Sequence, residues 1–511
     1  MKTILMMAAA VLAAAPLAAQ PTVPASNPAP PRTVEIPATP AGSAARGLME
    51  AVNAGGDAAV NDWARRMLPE RGWMGWTPER WAASFVRLRE QSGGLDPVRL
   101  IDRGDPAYVA VIFRARNGAG RVGIEFAMNA DGRVESLELH PMPAPGPRPE
   151  LPSGRLADDS VGRAVRAHVD RLAAADRFSG VILLARGDRI LLHRAYGMAD
   201  AQAGRANTLD TRIGSGSVPK MITAVAVAQL VERGRMRLDD TLGALLPDYP
   251  NADARRSVTV RHLLTHSSGV AEPFATGATP DARRRTPGEW MALVAGRPLD
   301  FAPGSKTQYS NGGFAVLAAI VERVSGQPFD AYVREHVFRP AGMRAANAAA
   351  YARLPWARGY SRVPEFDPLG IMPRRSNEWI TGGGGPNQHL SGFGGIGMTA
   401  DDLFRFTRAL QDGRLVTPAM ARTLMTGTVP VEPGAPVRYG LGFYDMELEG
   451  GAHAIGHSGG GGNSGIGANV QMVGEWTLVV MGNYDLDQDV RPLSWPVLDL
   501  VAAQEGSRAA R

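Results

Sequence analysis

Cysteine is absent from this chain of 511 residues, and lysine occurs only as Lys2, Lys220 and Lys306. The lack of cysteine excludes disulfide bonds, cysteine nucleophiles and thiolate metal sites. Lysine is scarce although the chain carries 55 lysine and arginine residues, so arginine supplies nearly every positive charge. Arginine cannot lose its proton in a protein, whereas a buried lysine can. The lysine at position 220 therefore indicates a need for an amine that can become neutral.

Charge and histidine spacing exclude two further classes of function. The net charge of +5 is small for this length, and no basic run is interleaved with aromatic residues, which argues against a nucleic-acid partner. His262 and His266 are four residues apart, but no acidic residue stands between them as in the metal-binding H-E-x-x-H motif. The sequence therefore predicts no metal site and no cofactor. It assigns both histidines to structural packing beneath an active site that other residues form.

The first 20 residues have the pattern of a signal peptide. Lys2 precedes an apolar stretch over residues 4–17, and small residues stand before Gln20. The stretch is shorter than the roughly 20 residues that a membrane-spanning helix needs. No other apolar run in the chain has spanning length. The sequence therefore predicts an exported protein, periplasmic or secreted, without a transmembrane segment once the signal peptide is removed.

Two proline-rich stretches, residues 21–42 and 143–154, divide the rest of the chain and predict extended linkers. Between them, residues 43–142 combine three helical patterns with four alternating stretches joined by glycine-containing turns. This combination predicts a small α+β domain, and its order of elements is similar to the cystatin-like and NTF2-like folds. Residues 155–505 form a second, larger domain.

The larger domain has predicted strands at both ends and a mainly helical middle. Because the two early strands need partners, they are expected to pair with the late ones across a helical insert. The pattern predicts an α+β fold with one antiparallel, five-stranded sheet flanked by helices. The predicted strands are residues 178–187, 189–196, 439–446, 465–473 and 476–483.

Ser217 and Lys220 stand at the start of a predicted helix that ends near Gly234. An alanine-rich apolar run follows them, Pro219 suits a first helical turn, and glycine suits the C-terminal end. Residues three apart share a helix face, so the hydroxyl and the amine can meet. A serine beside an amine base at a helix N-terminus is an activated nucleophile. The alternative is a serine cap followed by a solvated lysine, and S-x-x-K alone favours that alternative.

Two further segments carry residues suited to the same site. Tyr309 and Asn311 are two apart before a helix, so a phenol that passes a proton and an amide can face one cleft. The other segment is glycine-rich, so a substrate can lie against exposed backbone and an N–H can stabilise an oxyanion. Taken alone, the first segment also fits a turn that begins a helix, and the second also fits a flexible turn, without any catalytic role. The residues of the second segment are His457, Ser458, Gly459 and Gly460.

Residues 456–460 also fit G-x-S-x-G, the nucleophile elbow of α/β-hydrolases, with Ser458 as the nucleophile. That motif requires a strand before the serine and a helix after it. Here more glycines and then a predicted strand follow Ser458. The sequence therefore argues against this alternative.

Together the three segments resemble the motifs of the serine β-lactamase, penicillin-binding protein and esterase superfamily, and above all its class C-like branch of carboxypeptidases and esterases. Ser217 and Lys220 match its S-x-x-K motif, and Tyr309 and Asn311 resemble its Y-x-N motif. His457 begins the segment found where K-T-G is expected. The resemblance covers roughly residues 159–483 and implies a β-lactamase-like fold.

The resemblance also implies a role for each residue. Ser217 would form an acyl-enzyme, with Lys220 as its base and Tyr309 activating the serine or relaying the proton. Asn311 would orient the substrate or Lys220, and the backbone N–H groups of Ser217 and Gly460 would stabilise the oxyanion. Substrate binding would fall to Asn311, His457, Ser458, Gly459 and Gly460.

The histidine at position 457 departs from the lysine of the family motif. A fixed cation there would hold a substrate carboxylate, whereas histidine is charged only part of the time near neutral pH. This favours esters or amides without that carboxylate over β-lactams and D-alanyl-D-alanine ends. The predicted function is an exported serine hydrolase that acts through an acyl-enzyme on small-molecule or peptide esters and amides, with β-lactams and D-amino acid peptides left open as substrates. The alternative is a catalytically silent sensor or binding protein on the same fold.

Overall fold

The computed structural model describes the residues 34–70, 77–101, 105–116, 120–143, 151–152, 154–276, 285–360, 390–394, 396–431, 437–448, 451–460, 465–485 and 490–505. The predicted signal peptide and most of both predicted linkers lie outside the described residues. Among the residues described, no helix is long and apolar enough to cross a membrane.

The N-terminal part combines helices with an antiparallel sheet whose strands pair in chain order. The first helix begins at Pro40 because the Thr39 side chain accepts the N–H of Gly42, so the end of the predicted first linker is helical. Its elements are α1 (Pro40–Asn53), α2 (Asp57–Met67), α3 (Pro78–Ser92), β1 (Leu95–Ile101), β2 (Tyr108–Ala115), β3 (Gly120–Met128) and β4 (Val134–Pro143).

Helices and sheet of this part share a core of their own. The Trp63 ring meets Phe85 and Phe126 edge-on, with centroids 5.7 and 6.4 Å apart. All three rings are buried, together with aliphatic side chains of α1 and β2. Burial of such large apolar surfaces stabilises the packing of the helices on the sheet.

The larger part is built on one antiparallel sheet of eight strands, in the order β11-β12-β13-β14-β15-β16-β5-β6. The strands of this part are β5 (Gly180–Arg186), β6 (Arg189–Tyr196), β7 (Met198–Asp200), β8 (Arg205–Ala206), β9 (Ile213–Gly214), β10 (Gly397–Met398), β11 (Val429–Pro430), β12 (Val437–Tyr439), β13 (Tyr444–Glu447), β14 (His453–Gly460), β15 (Gly467–Val473) and β16 (Trp476–Gly482).

The predicted pairing of early and late strands is confirmed, because Val480 of β16 lies opposite Ile182 of β5. The predicted count of five strands is wrong, since the sheet has eight. The sequence missed β14 in particular: three of its eight residues are glycine, and it lacks the β-branched, alternating pattern that marks a strand. Pairing with β13 and β15 on its two sides holds it in the sheet.

Helices cover both faces of this sheet, as the α+β fold requires. Alternate residues of β5 point to opposite faces: Val181 and Leu183 to one core, Ile182 and Leu184 to the other. The helices are α4 (Asp158–Ala174), α5 (Pro219–Glu232), α6 (Leu242–Leu245), α7 (Ala252–Ser257), α8 (Val260–Leu264), α9 (Pro287–Ala292), α10 (Asn311–Ser325), α11 (Phe329–Val333), α12 (Arg339–Ala341), α13 (Ala348–Ala352), α14 (Ala400–Gln411), α15 (Pro418–Met425) and α16 (Arg491–Glu505).

Helix α5 runs through the core on the side of the sheet that Val181 and Leu183 face, and it is buried from Pro219 to Leu230. It is apolar on every side, which is typical of a helix surrounded by protein. Its neighbours include α10, whose residues from Gly312 to Val321 are buried as well. A polar side chain at the start of α5 therefore has to find its partners inside the protein.

Candidate active site

The turn before α5 places Ser217 beside the C-terminal end of β14. Helix α5 begins at Pro219, as the sequence predicts, and Gly234 follows its end with φ +63°. Gly216 has φ +52°, a left-handed conformation that residues other than glycine rarely adopt. This turn holds the serine just ahead of the first helical residue, with its hydroxyl beside Lys220.

The Lys220 amine is fully buried and bonded on three sides. Its Nζ lies 3.0 Å from Ser217 Oγ, 2.7 Å from Asn311 Oδ1 and 3.1 Å from the carbonyl oxygen of Phe393. The structure therefore brings together the serine and lysine of the first motif and the asparagine of the second.

Burial lowers the pKa of Lys220 well below its usual value, because an ammonium group loses its hydration inside the protein. The carboxylate of Glu272 opposes this shift through its negative charge. The net direction is downward, so the amine loses its proton more easily than a solvated lysine. The alternative drawn from the sequence, a serine cap followed by a solvated lysine, is wrong, because Lys220 is 0% exposed.

Tyr309 approaches the serine from the other side. Its hydroxyl donates to Ser217 Oγ at 2.7 Å, and its ring centroid lies 4.6 Å from Lys220 Nζ. The residue is 39% exposed, yet its surroundings strip enough water from the phenol to raise the pKa of Tyr309 well above its usual value. The phenol is therefore protonated at neutral pH and acts as a donor to Ser217.

His266 packs its ring against the ring of Tyr309. Its ring centroid lies 4.3 Å from that of Tyr309, and its Nδ1 accepts the backbone N–H of Ser310 at 3.1 Å. Burial lowers the pKa of His266 well below its usual value, so the ring is neutral. The other histidine, His262, accepts the N–H of Thr259 at the start of α8. Among the described residues, no cluster of histidine and acidic side chains could hold a metal ion.

The end of strand β14 lies against the turn formed by residues 215–217, which is called the serine turn here. A Cβ atom on Gly459 would overlap the Ser215 carbonyl and the Ser217 backbone nitrogen. A Cβ atom on Gly216 would overlap the backbone nitrogen of Gly460. The two segments approach this closely only because both residues are glycine. The backbone nitrogens of Ser217 and Gly460 therefore lie near each other.

His457 is buried in β14 and has partners for both ring nitrogens. Nδ1 lies 2.5 Å from the Ser458 carbonyl, which can only accept, so Nδ1 carries the proton. Nε2 then accepts from the Tyr439 hydroxyl at 3.0 Å. Burial lowers the pKa of His457 to about 3, so the ring is neutral at physiological pH. Positive charge beside β14 comes from α16 instead, where Arg491 Nη2 donates to Ser458 Oγ at 3.2 Å.

Ser458 lies inside β14, opposite Asn469 of β15. A nucleophile elbow would place the serine at a sharp turn between a strand and a helix. Ser458 instead has strand residues on both sides, since β14 continues to Gly460. The backbone at this position does not have the geometry of the α/β-hydrolase alternative.

Sequence reasoning missed one residue of this constellation. Glu272 accepts the backbone N–H of Asn311 at 2.9 Å and its side-chain Nδ2 at 3.2 Å. Burial raises the pKa of Glu272, while the hydrogen bonds from Asn311 oppose that rise. No part of the three motifs contains this glutamate, and a single acidic residue after His266 gives no signal of its own in the sequence.

The larger part of the chain is similar to known proteins. The family model described as Beta-lactamase matches residues 165–503, more than half of the chain. Esterase EstB of Burkholderia gladioli is 32% identical over 289 residues, which cover 49% of this chain and 70% of the esterase. Penicillin-binding protein 4 of Amycolatopsis lactamdurans is 33% identical over 262 residues, which cover 50% of this chain and 65% of that protein.

The fold has counterparts among solved structures. A penicillin-binding protein from Bacillus halodurans superimposes with a TM-score of 0.52 at 26% identity, covering 66% of this chain and 98% of its own. The matched part of this chain spans less than two thirds of the length of the Amycolatopsis protein. Because the family model covers more than half of its length, the chain belongs to the Beta-lactamase family, within the superfamily of serine β-lactamases, penicillin-binding proteins and related esterases.

Proposed function

We propose that this protein is a serine hydrolase that cleaves esters or amides through an acyl-enzyme on Ser217. One observation carries the proposal: Ser217 Oγ lies between the Lys220 amine at 3.0 Å and the Tyr309 hydroxyl at 2.7 Å. The base and the relay thus each stand within hydrogen-bond distance of the serine hydroxyl, as nucleophilic catalysis by serine requires.

The opposite pKa shifts suggest which group is the base. Lys220 has a lowered pKa and becomes neutral more easily, whereas Tyr309 has a raised pKa and keeps its proton. We therefore assign the base to Lys220 and the relay to Tyr309. Ser217 Oγ bonds to the substrate carbonyl carbon as its proton passes to Lys220. The backbone N–H groups of Ser217 and Gly460 stabilise the oxyanion.

Collapse of the tetrahedral intermediate breaks the bond from the carbonyl carbon to the leaving oxygen or nitrogen. Tyr309 gives its proton to the leaving group and recovers one from Lys220, so Lys220 is neutral again. Water then attacks the ester formed on Ser217, with the same groups moving its proton. Acid and alcohol, or acid and amine, leave, and all three side chains return to their starting states.

The residue at position 457 suggests the substrate class. Neutral His457 cannot hold a carboxylate by ionic attraction, since burial lowers its pKa to about 3, and the Arg491 guanidinium meets β14 at the Ser458 hydroxyl rather than at position 457. We therefore propose that esters and amides without that carboxylate, such as short-chain esters and D-amino acid amides, are better substrates than penicillins or D-alanyl-D-alanine peptides. The esterase among the relatives supports the ester reading.

A substrate panel tests this proposal. We expect p-nitrophenyl acetate and butyrate to turn over with a higher kcat/KM than nitrocefin, and whole-protein mass spectrometry to find an acyl adduct on Ser217. A reversed order, with nitrocefin as the best substrate, would contradict the preference for substrates without that carboxylate. Absence of any turnover and of any adduct would favour the silent binding protein instead.

We also propose that the protein is exported. The charged start, the apolar stretch over residues 4–17 and the small residues before Gln20 support this. Expression of the full chain in a Gram-negative host, followed by N-terminal sequencing of the periplasmic fraction, should give a mature protein that starts near Gln20. An uncleaved N-terminus in the cytoplasmic fraction would contradict export.

A further inference from the structure

Glu272 lies beside the catalytic groups without belonging to any recognised motif. Oε2 accepts the Asn311 backbone N–H, and Oε1 accepts the Asn311 side-chain Nδ2. We propose that Glu272 is a positioning residue: it fixes the orientation of the Asn311 amide and so keeps the lone pair of a neutral Lys220 directed at Ser217. This inference rests on the proposed function, in which Ser217 is the nucleophile and Lys220 the base.

The first step concerns the Asn311 amide, which has an accepting oxygen and a donating NH₂ group at nearly equivalent positions. A carboxylate can only accept hydrogen bonds, so the NH₂ group has to face Glu272. The oxygen Oδ1 then faces Lys220, 2.7 Å from its Nζ. Glu272 therefore determines which end of the amide the lysine meets.

The second step concerns the Lys220 amine, which has two N–H groups and one lone pair when neutral. Two of its three neighbours can only accept: the Phe393 carbonyl at 3.1 Å and, once oriented, Asn311 Oδ1 at 2.7 Å. They take the two N–H groups. The lone pair is left for the third neighbour, the Ser217 hydroxyl at 3.0 Å, whose proton it can accept. A base is effective only when its lone pair faces the proton that it removes.

Glutamine at position 272 would reverse this arrangement. It has one accepting oxygen. The Asn311 backbone N–H, at 2.9 Å from Oε2, makes a shorter bond than the Phe274 N–H at 3.4 Å from Oε1, so the oxygen takes the Oε2 position and the NH₂ group faces the Asn311 side chain. Two NH₂ groups cannot bond to each other, so the Asn311 amide would turn and direct its NH₂ group at Lys220. That group would donate to the lone pair and compete with Ser217 for it.

A purely structural role for Glu272 has to be distinguished from this one. The Asn311 N–H opens helix α10, and a carboxylate at a helix N-terminus stabilises that end. Loss of such a contact lowers thermal stability, and loss of the charge moves the acid limb, but neither of these lowers the plateau kcat at an unchanged KM. The double variant Glu272→Gln/Asn311→Asp separates the two roles, because aspartate has no NH₂ group to direct at Lys220.

The charges around Lys220 give the direction of the pH shift. Glu272 is the negative group that raises the Lys220 pKa, while His266, His457 and Tyr309 face the amine as neutral groups. Removing the carboxylate charge lowers the pKa of Lys220. Activity is lost when Lys220 is protonated, so the acid limb of the rate profile moves to lower pH in Glu272→Gln.

The experiment measures the rate of Ser217 labelling by a fluorophosphonate, and kcat and KM for p-nitrophenyl butyrate, between pH 5 and 10. In Glu272→Gln we expect a plateau kcat that is lower by roughly 10- to 100-fold with little change in KM, and an acid limb at lower pH. Asn311 is also a predicted substrate-binding residue, so the readout for the double variant is Ser217 labelling, whose plateau rate should be higher than in Glu272→Gln. Its acid limb should move to higher pH, because the new carboxylate at position 311 adds negative charge beside Lys220.

A matched control is Asp402→Asn, which removes another buried carboxylate. Asp402 accepts the Arg344 backbone N–H at 2.6 Å at the start of α14, outside the candidate site. We expect it to lower Tm and to leave the pH profile unchanged. A wild-type plateau kcat in Glu272→Gln, or a double variant whose Ser217 is labelled as slowly as in the single variant, would overturn the inference. Failure of wild type to label at all would instead refute the proposed function.

Discussion

Replacing Ser217 with alanine should remove covalent labelling completely and lower the kcat of ester hydrolysis by roughly 10⁶-fold, the loss that deletion of a serine nucleophile causes. The proposed reaction has no other group to carry the acyl chain, since Lys220 and Tyr309 both act through the Ser217 oxygen. Labelling by a fluorophosphonate and hydrolysis of p-nitrophenyl butyrate measure the two losses.

The matched control for this variant is Ser458→Ala. Ser458 is the serine of the competing G-x-S-x-G pattern and lies inside β14. Its hydroxyl accepts a hydrogen bond from Arg491 of α16. We expect Ser458→Ala to keep the label on Ser217 and to change mainly KM, since Ser458 is a predicted substrate-binding residue. If Ser458→Ala loses the label while Ser217→Ala keeps it, the nucleophile has been assigned to the wrong motif.

The S-x-x-K and Y-x-N segments could be located from the sequence because their chemistry depends on local spacing. Ser217 and Lys220 are one helical turn apart, and the pattern of α5 is readable in the residues that follow. The scarcity of lysine added a signal that a motif alone does not give. Its physical counterpart is the burial of Lys220, which is 0% exposed.

The contacts that cross between distant segments could not be predicted in the same way. Glu272 and Phe393 reach the site through hydrogen bonds with residues 39 and 173 positions away in the chain. No periodicity encodes such a meeting. The neutral state of His457 also depends on burial by neighbouring strands, which the sequence does not reveal. Strand β14 was missed for a related reason, since its glycines are explained only by the close approach of the serine turn.

Replacing Lys220 with arginine should lower kcat/KM by about 10²- to 10⁴-fold, the usual contribution of a general base. A guanidinium group keeps its proton at any pH that the protein survives, so it cannot take the proton of Ser217. The position is fully enclosed, and its neighbours already include the rings of Phe314 and Phe393 at 5.6 Å from Nζ. The change thus also forces a larger, permanently charged group into a closed space, and Tm should fall.

Lys220→Met separates the loss of the base from damage to the fold. Methionine is unbranched and of similar length, so it fills the space without a charge, although it leaves Asn311 Oδ1 and the Phe393 carbonyl without their donor. We expect a folded protein that is labelled slowly and whose remaining rate has lost the acid limb, because no amine is left to be protonated. A Lys220→Met protein with the wild-type rate and pH profile would show that the proton of Ser217 goes elsewhere. Tyr309, 2.7 Å from the same oxygen, would then be the base despite its raised pKa.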